Sequence, residues 1–202
     1  RGHHADLSGG TRPRTPGACR GSSLIVILVL GFSAFEGVAR NPAEHLARAL
    51  DGRRVSGHTI VGRSMPVSYR RSVEITCDLA RQLRPAVVLG VGVATGRSKA
   101  QFEAQGRNQA DPKRPDVDGM FPPENRHANP KQRFSTFPGR ATNLAPGQSL
   151  STDAGNYVCN AWLFGVLGEV LESRVGFLHI PITGYDTADV IHALRHDLGP
   201  TI

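Results

Sequence analysis

Two unbroken apolar runs constrain this chain more than any other feature: Leu24–Leu30 (LIVILVL) and Ala86–Val91 (AVVLGV). Short runs of this kind, rich in β-branched residues, read as buried strands. Neither approaches the roughly 20 residues that a helix needs to cross a bilayer. Because Leu24–Leu30 follows Arg20, a signal-peptide core is the rival reading. Its β-branched content, its end at Gly31 and the lack of a clean small-x-small cleavage site favour a buried first strand.

Helical signals alternate with these strands. Asn41 reads as an N-cap, with Pro42 at the first helical position and Glu44 at the capping-box position, and the helix should end near Leu50, ahead of Gly52. Val55–Gly62 alternates weakly and reads as a strand. Ser68–Leu83 places Tyr69, Val73, Cys77 and Ala80 at helical spacing before Pro85 ends it. From Gly92 to about Ser149 the pattern breaks down into Gly, Pro, Asn and Arg, as functional loops or short strands would. Cys159–Leu171 is then an apolar helix, Gly176–Ile180 a short strand stopped by Pro181, and Asp186–Leu198 a last helix. The alternation predicts a single α/β domain, a three-layer α/β/α stack around a mostly parallel twisted sheet. Ligands in such sheets bind beyond the carboxyl ends of the strands. His179, the Gly92–Arg97 loop and the loop before Cys159 all reach that rim.

Residues 1–23 are rich in Gly, Pro, Ser and Thr and lack periodicity, so they read as a disordered or appended tail, leaving 24–202 as the folded domain. Their four arginines against one aspartate supply part of the net charge of +7. No aromatic–basic interleaving or nucleic-acid motif accompanies the charge, so a solvated arginine-rich surface is expected rather than a nucleic-acid partner. The three cysteines are odd in number and lack metal or disulfide spacing. They suggest a reducing, cytoplasmic setting, with no metal and no membrane partner. Cys19 lies in the tail, and Cys77 reads as a small buried hydrophobe.

Cys159 stands apart because it opens an apolar helix. The positive end of the helix dipole and the unpaired N–H groups there would lower a thiol pKa and supply oxyanion donors. Position alone fits a plain core cysteine equally well. His179, within the apolar strand GFLHI, reads on its own as a satisfied core histidine; near a helix-start thiol it becomes a general base. Glu103 sits in a polar stretch and gains meaning only if it meets an imidazole, whose tautomer it would fix.

The blocks around these residues resemble the pyroglutamyl peptidase I (pyrrolidone-carboxylate peptidase) family of cysteine peptidases, from about Ile25 to Asp197. In family order, Gly31–Phe35 resembles GFxPF and Asn41-Pro42 the NP that comes next. Gly92–Arg97 is similar to the GxxxGR loop, and Glu103 falls six residues after Arg97, where the family's catalytic glutamate falls. Asn108 matches a downstream asparagine, and Asp111–Asp116 resembles DxRxPD. Phe134–Pro138 is similar to YFSTLP, Ala154–Asn160 to AGxxxCN and Gly176–Pro181 to GFxHxP.

The resemblance implies removal of an N-terminal pyroglutamyl residue from peptides through an acyl-enzyme, with no cofactor. Cys159 would be the nucleophile, His179 the base and Glu103 its orienting carboxylate. Phe32, Phe35, Val93, Tyr157, Val158 and Arg114 would line the substrate pocket, with Lys113 and Asn108 in oxyanion or supporting roles. A homo-oligomer is also implied. The chain departs from the family pattern around the substrate: Ala34 for Pro, Glu36 for Gly, Ala104 for Arg, Lys113 for Arg, and Arg114 at an apolar pocket position. A cysteine hydrolase of altered acyl specificity and a silent binding protein of the same fold are the alternatives.

Overall fold

The computed structural model describes residues 25–123, 129–139, 144, 146–183 and 185–199. The expectation for residues 1–23 lies outside the described residues. Two apolar runs become central strands, β1 (Val26–Phe32) and β4 (Val87–Val93). With β2 (Arg54–Val55), β3 (His58–Met65), β5 (Gln101–Glu103), β8 (Ser149–Ser151) and β9 (Arg174–Ile180) they form one sheet in the order β2-β3-β1-β4-β9-β5-β8. The central strands β3, β1, β4 and β9 are mutually parallel, while β2 and β5 run antiparallel to their inner neighbours. The expected strand over 55–62 is split by a tight turn: Ser56 and Gly57 take φ of 45° and 76°, the hand that lets a two-residue hairpin follow strand twist.

The helices cover both faces. α1 (Pro42–Leu50) is capped by Asn41, whose side chain accepts from the Ala43 N–H, as its sequence signature predicts. It presses so closely on β1 and β3 that a Cβ on Gly31 or Gly62 would come within 2.1 Å and 1.9 Å of its carbonyl oxygens. α2 (Arg71–Leu83) starts three residues later than expected, and just ahead of it the Ser68 hydroxyl accepts from the Arg71 N–H and the Ser68 carbonyl from the Ser72 N–H. α3 (Val158–Glu169) and α4 (Thr187–Leu198) complete the set.

Side-chain alternation along the strands divides the core in two. Ile27, Val29, Leu89, Val91, Leu178 and Ile180 pack with α1 and α4. Leu28, Leu30, Phe32, Val88 and Phe177 pack with α2 and α3 around Trp162, whose indole N–H reaches the buried Thr76 hydroxyl at 2.8 Å. Both faces are therefore apolar, which explains the uninterrupted character of the β1 and β4 sequences. The chain leaves β1 for β3 on one side and crosses to β4 on the other. The carboxyl ends of β1 and β4 thus flank a topological switch point, where open α/β sheets place their crevices.

The long stretch without periodicity contains short strands. Besides β5 and β8, β6 (Gln105–Arg107) and β7 (Gln132–Phe134) form a separate antiparallel pair against α3. Three-residue strands are too short to show a period, so their pairing is set by distant neighbours.

Candidate active site

Parity within the sheet assembles the site. In β9, Val175 and Phe177 face α3, so His179, two residues on, faces α3 as well. Its in-register partner on β4 is Gly92. A Cβ built on Gly92 would lie 3.1 Å from the Cys159 sulfur and 2.9 Å from the Phe177 ring. The thiol therefore approaches the sheet at the strand position beside His179, over a residue with no side chain to block it. Cys159 itself is the second residue of α3, whose N-cap Tyr157 offers no side-chain hydrogen bond. The N-cap side chain therefore takes none of the first-turn N–H groups at that end.

Behind His179 lies Glu103. It is fully buried at the end of β5, which pairs antiparallel with β9 and parallel with β8. Its Oε1 lies 2.7 Å from His179 Nδ1 and accepts from the Arg97 guanidinium at 2.6 Å. Among the described residues, Oε2 is buried without a hydrogen-bond partner. Burial pushes the Glu103 pKa up, but the hydrogen bond and charge of His179, the Ser151 hydroxyl and the charge of Arg97 outweigh it, and the carboxyl sits below its ordinary value. Arg97 also donates to the Asp153 carbonyl at 2.6 Å and to Ser151 Oγ at 3.3 Å. It joins the carboxylate to the loop that leads into α3. Nothing local in the sequence marked Arg97 for that role.

The thiol departs from the sequence expectation. Burial and the negative charge of Glu103 push the Cys159 pKa up to about 12, and its own backbone N–H, Arg114 and Arg97 only partly oppose this. The helix terminus does not outweigh desolvation here.

A cavity of about 680 Å³ opens above Cys159 at the strand carboxyl ends. His179, Phe32, Phe35, Val93, Tyr157 and Arg114 are on its walls. The Val158 side chain is instead fully buried in the core beneath α3. Lys113 is exposed and Asn108 lines a separate cavity beside Tyr69 and Phe164; neither is among the residues lining the Cys159 cavity. Asn160, one residue past the thiol, is fully buried. Its amide accepts from Arg107 N at 2.8 Å and donates to the Arg107 and Gln109 carbonyls, fastening α3 to β6. Among the described residues, no group of three or more His, Cys, Asp or Glu could hold a metal ion, and no helix is long and apolar enough to cross a membrane.

The sequence pattern of the Pyroglutamyl peptidase family matches residues 25–196. The chain belongs to the pyroglutamyl peptidase family. It is 35% identical over 166 residues to pyrrolidone-carboxylate peptidase 1 of Ralstonia nicotianae, covering 77% of each chain. It is 31% identical over 172 residues to the pyrrolidone-carboxylate peptidase of Thermococcus litoralis, covering 78% of this chain and 76% of the relative. The fold agrees with the solved pyroglutamyl peptidase I of Bacillus amyloliquefaciens at a TM-score of 0.75 and 22% identity, over 86% of this chain and 92% of that one. The pyrrolidone carboxyl peptidase structure from Thermococcus litoralis gives a TM-score of 0.73 at 25% identity, over 86% and 91% of the two chains. Membership of this family makes the chain a pyroglutamyl peptidase of the cysteine-peptidase class.

Proposed function

We propose that this protein removes the N-terminal pyroglutamyl residue from peptides, with Cys159 as nucleophile, His179 as acid and base, and Glu103 as the group that orients His179. The observation that carries the reading is the Cys159 thiol set over Gly92, the strand partner of a histidine whose Nδ1 is held by a buried carboxylate. His179 Nε2 takes the thiol proton as the sulfur attacks the pyroglutamyl carbonyl carbon. The tetrahedral oxyanion is met by N–H groups at the start of α3. The C–N bond then breaks, the imidazolium proton passes to the leaving amine, and a thioester remains on Cys159. Water, deprotonated by His179, attacks the thioester. Pyroglutamic acid leaves and the thiol recovers its proton. Phe32, Phe35, Val93 and Tyr157 give the flat neutral lactam apolar walls.

Free Cys77 and Cys159 fit a reducing compartment, the cytoplasm. A homo-oligomer completes the proposal, to be read by sedimentation. The activity is tested with a pyroglutamyl chromogenic amide. Thiol-dependent turnover that disappears in Cys159→Ala is expected; turnover that persists in that variant would remove the nucleophile from the scheme.

A further inference from the structure

The charges around the Cys159 cavity are mostly spoken for. Arg97 is paired with Glu103, and Asp153 with Arg107. Arg114 is different. Its guanidinium lies over the Tyr157 ring, 3.8 Å from the centroid, and it makes no ion pair among the described residues. The side chain is exposed, yet its base is fixed. The Tyr69 hydroxyl donates to the Arg114 carbonyl at 3.1 Å, and the Tyr157 hydroxyl to the Pro115 carbonyl at 3.0 Å. The two phenols also meet edge to face, with ring centroids 5.7 Å apart. One face of a planar, always charged fork is thus covered by an aromatic ring, and its N–H edge is left for a ligand. The same charge is felt at the Cys159 sulfur, so the fork and the nucleophile serve one volume. Glu36 also lines that cavity but forms no ion pair with Arg114.

We infer that Arg114 is a specificity residue that takes a substrate carboxylate on the leaving side of the scissile bond. This rests on the pyroglutamyl reading above. The acyl group is then a neutral lactam, so a carboxylate in the substrate must belong to the leaving amine. Two sources supply it: the free terminal carboxylate of a pyroglutamyl dipeptide, or an acidic side chain on the residue after the lactam. A planar carboxylate meets a guanidinium edge through two parallel hydrogen bonds, which a carboxamide cannot reproduce.

The test compares kcat/KM for pyroglutamyl-alanine with its amide, and for pyroglutamyl-glutamate amide with pyroglutamyl-glutamine amide. Wild type, Arg114→Gln and Arg114→Lys are measured side by side. The expected result is a preference of about three- to tenfold for the carboxylate member of at least one pair, as an exposed charge-assisted contact gives. The pair that shows it identifies the source. The preference should shrink toward unity in about 1 M salt, where the screening length is ~3 Å. It should vanish in Arg114→Gln and survive in part in Arg114→Lys. Equal rates in both pairs for wild type, or a preference unchanged in Arg114→Gln, overturns the inference. Failure to cleave any pyroglutamyl substrate sinks the pyroglutamyl reading instead. In that case the ratio of iodoacetate to iodoacetamide labelling at Cys159 reads the same charge. It should fall about threefold or more in Arg114→Gln, and an unchanged ratio overturns the assignment of Arg114.

Discussion

His179 Nδ1 and Glu103 Oε1 stand 2.7 Å apart, with the glutamate fully buried. An ionised carboxylate can only accept, so Nδ1 carries the hydrogen and the Nε2 lone pair is left for the thiol proton. That tautomer depends on Glu103 keeping its charge in a site where burial works against it. Arg97, sharing the same oxygen at 2.6 Å, is one of the groups that hold the charge in place.

Replacing the carboxylate by a carboxamide tests this directly. Glu103→Gln keeps the shape but loses the charge that favours an imidazolium, and its amide can present either atom to Nδ1. We expect kcat to fall by about 10²–10⁴ with a smaller change in KM, the range seen for orienting and acid–base groups. Steady-state turnover of a pyroglutamyl amide measures it. A loss smaller than about threefold would mean that the buried pair is structural only.

The same carboxyl sets an acid limb of stability. Its folded pKa lies below its ordinary 4.5, so its contribution is fully present above that pH and is lost as the pH falls through the depressed value. The urea midpoint of wild type minus that of Glu103→Gln should therefore decrease as the pH is lowered beneath 4.5. A difference that grows on acidification would reverse the assigned direction.

The sequence shows why some of this site is legible and some is not. GFLHI reads as a strand, but because both of its faces are apolar, only the packing of Val175 and Phe177 against α3 shows which way His179 points. Asn41 and Pro42 announce α1, and the apolar runs announce β1 and β4. Glu103 reads as a solvated loop carboxylate, because its burial comes from pairing with β9 and β8, which lie far along the chain. Arg97 is legible only as the anchor six residues before Glu103, since the Ser151 and Asp153 partners that tie it to the loop before α3 are more than fifty residues away. Position at a helix start suggests an acidic thiol at Cys159, but the opposing desolvation depends on how closely β4 and β9 approach it.

Gly92 is one place where that approach is close. A methyl group there would sit 2.9 Å from Phe177 and 3.1 Å from the Cys159 sulfur. Phe177 is itself wedged between Trp162 and His179, with ring centroids at 5.5 Å and 4.9 Å, so it has little room to yield. Gly92→Ala should cost about 1–3 kcal/mol of stability by overpacking. It should also lower turnover more than that loss alone explains, because the added methyl group crowds the Cys159 sulfur beside His179. Chemical denaturation and kinetics on the folded fraction separate the two effects; unchanged turnover would show that the thiol does not bear on this glycine.

The thiol pKa decides how the nucleophile is made. Burial first, then the Glu103 charge, push Cys159 up to about 12, so at neutral pH the free protein holds a thiol rather than a preformed thiolate. The proton must then leave for His179 as the sulfur attacks. Wild type should react with iodoacetamide at neutral pH with help from that base. His179→Ala should react at least about tenfold more slowly, and its rate should climb about tenfold per pH unit as the thiolate fraction grows. With the pKa so high, that climb should continue through about pH 10 without levelling, past the range where an ordinary cysteine saturates. Mass spectrometry of the Cys159 peptide separates this site from Cys77. A rate in His179→Ala that levels below about pH 9 would mean that the start of α3 holds a thiolate unaided, and His179 would lose its part in the first proton transfer.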